Sequence, residues 1–214
     1  AGDVFANSSN GNYADVNTGD TLYVCYNDTI TPGILVNGIG QSTASFPSCI
    51  SPGYVIHQSN PVPNPVMNSG FTYVDSLQGN GVFINNGNGS GSFGNPAFNI
   101  LYYLSPAADQ PASWGTFNCS TSTVENGIPI VFLQSLTANF SYNNNTCTVT
   151  FSATGGMNAF SGMPYTYSIT NPLGAIAQTG AINQNQVINY TGAIAGNYSV
   201  TIGDGACSQN YTFD

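Results

Sequence analysis

The chain has 214 residues, 41% of them apolar, with nine acidic side chains, no lysine or arginine, and a formal charge of −9. That length supports one large or two small cored domains, and the apolar share is that of a folded protein. With no cationic side chain, nucleic-acid binding, attachment to an anionic membrane through a basic patch, lysine Schiff bases, arginine clamps and lysine isopeptide cross-links are all excluded. Asn, Ser, Thr and Gly stand where charges ordinarily do, and trypsin-like proteases find no cleavage site. Five cysteines suit an oxidising compartment, so an extracellular or cell-surface location is expected. No apolar run approaches the ~18 residues of a membrane-spanning helix, and direct membrane insertion is not expected. Ala1-Gly2-Asp3 suits a mature N-terminus left by signal cleavage, or the start of a repeat.

In chain order, strand signals dominate and helix periodicity is almost absent. Asp3-Val4-Phe5-Ala6 is a short extended run, and residues 21–27 (T-L-Y-V-C-Y-N) read as the first firm strand. Further strands are expected at 33–37, 53–57, 71–76, 81–85, 98–104, 115–119 and 128–134, separated by Gly, Asn and Pro clusters. The texture changes at Gln134-Ser135. Beyond it, strands are expected at 136–142, 146–152, 164–170, 186–191, 197–202 and 207–213. That density over roughly 80 residues is the density of an immunoglobulin-like sandwich. Alternation is clean here: Cys147, Val149 and Phe151 share one parity, and Thr148 and Thr150 the other. Tyr198, Val200 and Ile202 likewise alternate with Ser199 and Thr201, and Gly203-Asp204-Gly205 offers the positive-φ positions of a closing hairpin. The fold class is therefore all-β. It comprises two tandem antiparallel β-sandwich domains, 1–134 and 135–214, the second immunoglobulin-like.

Parity brings Cys147 and Cys207 to inward positions and makes them the preferred internal disulfide, closing a loop of about 60 residues worth roughly 3–4 kcal/mol. Cys25–Cys49 is the shorter of the remaining closures, which leaves Cys119 unpaired or intermolecular. Acceptor sequons for N-glycosylation occur at Asn7, Asn27, Asn88, Asn118, Asn139, Asn144, Asn189, Asn197 and Asn210. About five or six would arise by chance in so amide- and hydroxyl-rich a chain. Asn139, Asn189, Asn197 and Asn210 fall on the outward parity of their strands, so glycans are candidate partners.

Catalytic constellations are sparse. His57, the one imidazole, follows Tyr54-Val55-Ile56 at a strand end without a nucleophile-elbow glycine pattern, and reads as a structural residue. Glu125, the one glutamate, lies in the turn Val124-Glu125-Asn126-Gly127 and would have to serve an acid-active hydrolase. Asp15, Asn17 and Asp20 could supply oxygen ligands to a structural calcium, although Asx-rich loops more often cap turns. Trp114, Tyr102 and Tyr103 could stack on sugar as in a carbohydrate-binding module, or simply be core. No other cofactor is expected, and the chain reads as a non-enzyme.

The segments Gly155-Gly156, then P-Y-T-Y-S-I from Pro164, then A-G-N-Y-S-V-T-I-G-D-G-A-C from Ala195 to Cys207, resemble the SprB-type and PKD-like repeats of large bacterial surface adhesins. The likeness covers about 135–214. The insertion between Gly156 and Pro164 and the short turn at Gly203-Asp204-Gly205 depart from the pattern. It implies a β-sandwich repeat at a cell surface and specifies no ligand. In general character the chain also resembles extracellular filament subunits of the pilus and archaeal thread type. Such subunits polymerise by lending a terminal strand to a neighbour's sheet. That resemblance implies a structural subunit or repeat of a filament or adhesin whose partners are copies of itself. Asp3, Val4, Phe5 and Ala6 are the candidate donor strand, and the edge at Phe213 is a second. A glycan-binding module and an acid-active hydrolase are the alternatives.

Overall fold

The computed structural model describes residues 3–9, 11–15, 19–35, 51–58, 71–76, 83–85, 96–109, 123–124, 127–143 and 145–213. The chain divides into two compact units, Ala1–Phe132 and Leu133–Asp214.

The first unit contains β1 (Asp3–Ser8), β2 (Tyr13–Asp15), β3 (Leu22–Val24), β4 (Thr29–Leu35), β5 (Ser51–His57), β6 (Phe71–Ser76), β7 (Phe83–Ile84), β8 (Leu101–Asp109), β9 (Thr123–Val124) and β10 (Ile128–Phe132). One sheet runs β2-β1-β4-β7, and the other runs β3-β10-β8-β5-β6, with β9 paired to β8. Alternate apolar residues of both sheets meet in one core: Ala6, Ala14 and Ile30 from the first, Leu22, Ile56, Leu104 and Ile130 from the second, all fully buried. The pairing is antiparallel except for β3 with β10, where Leu22 lies beside Ile130 and Val24 beside Phe132 in parallel. Of Asp3–Ala6, the segment expected to be lent to a neighbour, all four residues pair with β4 within their own unit, and Phe5 and Ala6 pair with β2 as well.

The second unit contains β11 (Thr137–Asn143), β12 (Thr148–Thr154), the single helical turn α1 (Asn158–Ser161), β13 (Tyr165–Thr170), β14 (Ile176–Ile182), β15 (Ile188–Thr191), β16 (Tyr198–Gly203) and β17 (Ser208–Phe213). Its sheets, β11-β12-β15 and β14-β13-β16-β17, are antiparallel throughout. This is the immunoglobulin-like sandwich. Val149 and Phe151 from one sheet face Ile169, Val200 and Ile202 from the other, each at most 1% exposed. Each such side chain contributes about 1.5–3 kcal/mol by leaving water. Phe151 meets Tyr167 edge-on across the sandwich at 5.3 Å. At the corner between β15 and β16 the Tyr198 hydroxyl donates to the Ile194 carbonyl (2.8 Å) and accepts from the Ile194 amide (3.1 Å). This is the tyrosine corner typical of such sandwiches.

Two sequence readings change here. β14 is a strand that was not among those expected, because it is an edge strand without usable alternation, with Ile176 69% exposed and only Ile182 buried. The Cys147–Cys207 bridge does not form: Cys207 is disulfide-bonded, whereas Cys147 is an exposed thiol. β12 begins at Thr148, after Cys147, which sits in the preceding turn at φ 50°. Cys147 also lines a cleft with Tyr198 and Phe213, at one end of the β16–β17 hairpin, while Cys207 closes the turn at the other. A five-residue rise along β16 separates those ends by roughly 17 Å, against a Cα separation under about 7 Å for a disulfide. Cys25 is also disulfide-bonded, and Cys49 and Cys119 lie outside the described residues.

Candidate functional site

Part of what carries the repeat resemblance, Gly155-Gly156, Tyr165 and Asp204 to Cys207, gathers at one end of the second unit around the carboxylate of Asp204. This side chain is 3% exposed. Its Oδ1 accepts the Ala206 amide (3.0 Å) and the Cys207 amide (2.6 Å), and its Oδ2 accepts the Met157 amide (2.6 Å). Three backbone donors take the place of the cation that this chain does not possess. The diglycine is explained by the same node. Gly155 and Gly156 both have positive φ, at 83° and 57°, and a Cβ on Gly156 would stand 2.0 Å from Asp204 Oδ2. A Cβ on Gly155 would stand 2.0 Å from the Ser135 carbonyl oxygen. Tyr165 donates its hydroxyl to the Gly155 carbonyl at 2.9 Å. Burial, and secondarily the negative charge of Asp204, push its phenol up to about 12. G-G, the first tyrosine of P-Y-x-Y and D-x-x-C are therefore parts of one structural lock. Asp204 serves the turn, and its oxygens are already engaged by amides.

A candidate interaction surface of this unit is the side of the sandwich where the two sheets end. β11 and β17 are the neighbouring edges, and β15 and β14 are the opposite ones. Along the first side, Phe140 packs on Tyr211 at 4.7 Å and Tyr142 approaches Phe213 at 6.3 Å, while Phe213 stacks on Tyr198 at 5.4 Å and 9°. Such pairs contribute about 0.5–1.5 kcal/mol each beyond the area they bury. The Tyr211 hydroxyl accepts the Ala138 amide at 3.0 Å. One β11 amide therefore points away from β12, and by the period of the strand the Phe140 and Tyr142 amides do so too. The seam ends in a cleft of about 260 Å³ lined by Tyr142, Cys147, Ile194, Tyr198 and Phe213 among others. Tyr142 and Ile194 are 41% and 40% exposed there. β11 (T-A-N-F-S-Y-N), β15 (I-N-Y-T) and β17 (S-Q-N-Y-T-F) carry neither a charge nor a proline. β14 is also uncharged, but a register shift in its pairing with β13 interrupts its edge.

The other candidate residues are dispersed. His57 is 2% exposed and its Nε2 lies 2.7 Å from the hydroxyl of Ser105, itself fully buried. This serine–histidine contact, which sequence reading missed, is buried. Tyr102 is 3% exposed, receives the Ala97 amide at 2.8 Å and packs against Phe132 at 6.1 Å, so it is core and cannot be half of a sugar platform. Trp114 and Glu125 lie outside the described residues. Asp15 ends β2 and Asp20 is exposed, whereas Asn17 lies outside the described residues. Among the described residues no group of three or more His, Cys, Asp or Glu side chains comes together. Asn27, Asn139, Asn189, Asn197 and Asn210 are exposed, and Asn7 lies in β1. Asn88, Asn118 and Asn144 lie outside the described residues. Disulfide bonding, shown by Cys25 and by Cys207, is typical of extracellular domains.

No family model and no curated protein matches this chain. Among solved structures it is similar to the FN1-FN3 domains of chicken CNTN1, at 9% identity over 99% of this chain and 90% of that one, with a TM-score of 0.25.

Proposed function

We propose that this protein is a structural subunit or repeat of an extracellular filament or surface adhesin, assembled through its sheet edges. The observation that carries this reading is the seam between β11 and β17, where open edge strands have no charge, no proline and a row of aromatic residues. Monomeric proteins guard such edges with lysine, proline, bulges or a covering loop. In a polymer the same exposed amides and carbonyls are the contact, and a neighbour's strand completes the ladder. The partner is a second copy of the chain, bearing glycans on outward asparagines such as Asn189 and Asn210. The likeness to SprB-type and PKD-like repeats fits this role.

Concentration-dependent assembly is the test, followed by sedimentation and negative-stain imaging. Ser141→Lys places a charge on the exposed face of β11 and is expected to abolish assembly while changing monomer stability by less than about 0.5 kcal/mol. A protein that stays monomeric at high concentration, or assembles equally well with Lys at 141, would refute the proposal.

A further inference from the structure

Leu173, Ile176, Tyr142 and Ile194 are exposed and lie at the same end of the second unit. This is the end where Thr170 pairs with Ser199 and Ile176, Tyr198 with Phe213, and Asn143 with Thr148. Leu173, at 78%, is the most exposed large apolar residue among those described. It stands on a fixed turn between β13 and β14. The Asn171 side-chain oxygen accepts the Leu173 and Ala175 amides, both at 3.0 Å. The Asn171 amide donates to the Ala175 carbonyl, its carbonyl accepts the Gly174 amide, both at 2.9 Å, and Gly174 supplies φ 79°. An apolar side chain held this way is costly to leave in water and loses little conformational entropy when it docks.

A receiving surface stands beside this knob. Pro172 is so close to Gly196 that a Cβ on Gly196 would lie 3.1 Å from Pro172 Cβ. Gly196 in turn lines the cleft of Tyr142, Cys147, Ile194, Tyr198 and Phe213, whose volume of about 260 Å³ accommodates one aliphatic side chain. Neither the turn Asn171–Gly174 nor the cleft lining contains an acidic residue. With a charge of −9 and no cation, copies of this chain repel one another, so close contact is favoured at an uncharged patch. A knob and a hole side by side are self-complementary. A two-fold axis between two copies sets each knob in the other's hole, which is the arrangement of an isologous contact. We propose that two copies of this chain pair end to end through this surface, Leu173 of each entering the Tyr142–Ile194–Phe213 cleft of the other. The contact uses the end of the sandwich rather than the length of a strand, and it does not rest on edge pairing along the β11–β17 seam.

The test is sedimentation equilibrium of the full chain carrying Ser141→Lys, the variant directed against edge pairing. A concentration-dependent equilibrium between monomer and dimer is expected. Adding Leu173→Ser should raise the dissociation constant about tenfold or more, and Ile194→Asn on the receiving side should do the same. Both side chains are exposed, so the urea midpoint of either variant should stay that of the parent. Cys147 lines the cleft and supplies a second readout. Its alkylation should slow as protein concentration rises through the dissociation constant, and should not slow in Leu173→Ser. Edge assembly is judged by Ser141→Lys and this contact by Leu173→Ser, so the two can fail separately. A chain that remains monomeric at millimolar concentration would overturn the proposal. So would a dimer indifferent to both substitutions, or one in which Cys147 reacts as fast as in the monomer.

Discussion

Replacing Asp204 by alanine should undo the second unit at the end where its motif residues converge. The carboxylate holds three backbone amides, and those of Met157 and Cys207 bond at 2.6 Å. The Ala206 amide, at 3.0 Å, lies in a partly exposed turn where water can replace the oxygen. Hydrogen bonds to a charged group are worth about 1.5–3 kcal/mol each, so losing the two shorter ones costs about 3–6 kcal/mol. Removing the charge also removes its burial penalty, which leaves a net loss of roughly 2–4 kcal/mol. That is a large part of what a domain of this size possesses. Asp204→Asn retains one oxygen for the turn but sets an amide donor against the Met157 amide, and should cost less than the alanine. Urea unfolding gives the magnitude, and hydrogen exchange at the Met157 and Cys207 amides gives the location. A midpoint within about 0.5 kcal/mol of wild type, with both amides still protected, would refute this account. Alkaline titration supplies an independent sign. Tyr165 is raised to about 12, by burial first and by Asp204 second. Its neutral phenol therefore stabilises the fold fully below the ordinary value near 10. That contribution is lost as pH rises through the folded value. Asp204→Asn removes only the electrostatic part, so ionisation of Tyr165 should begin at lower pH in that variant.

Gly156→Ala combines a positive φ with a Cβ on the Asp204 carboxylate, and should cost at least as much as Asp204→Asn, read from the same urea curves. Tyr198→Phe removes both hydrogen bonds to Ile194 while keeping the ring stack on Phe213, for an expected loss of about 1–2 kcal/mol. A thiol reagent should modify Cys147 in the folded protein and leave Cys25 and Cys207 untouched until reduction. Cys147→Ser should therefore unfold at the wild-type urea midpoint.

The sandwich of the second unit was legible where one face of a strand is buried. In β12 and β16 the alternation of Val149, Phe151 and Ala153, and of Tyr198, Val200 and Ile202, matches the observed burial residue by residue. It was illegible in β14, whose I-A-Q-T-G-A-I run has little to bury and is held by its ladder with β13. Cys147 was misplaced because parity was extended backwards into a turn. The run N-N-N-T ahead of it was the warning. Asn143 accepts the Asn145 amide through its side chain, the Thr146 amide reaches the Asn143 carbonyl, and the chain re-enters β12 only after the left-handed Cys147. The serine–histidine contact was beyond reading, since β5 and β8 bring His57 and Ser105 together across 48 residues.

The lack of lysine and arginine governs both the inside and the outside of this molecule. Inside, a carboxylate is met by hydrogen-bond donors instead of a cation: backbone amides at Asp204 and the Ser9 hydroxyl at Asp28. Outside, an edge strand cannot be guarded by the lysine that most β proteins use. The remaining guards are unevenly placed. β14 has its register shift at Ile169/Thr170, and β11 has a single amide covered by Tyr211. β17 has neither, and β15 offers only four residues. A neighbour that adds a strand at the β11–β17 seam meets six or seven residues of edge together with Phe140, Tyr142, Tyr211 and Phe213, whereas the β14–β15 side offers a bulged edge and a short one. Backbone hydrogen bonding and aromatic cover coincide only along the seam. For the proposed assembly, the β11–β17 side is therefore the one to test by substitution, and Ser141→Lys tests it.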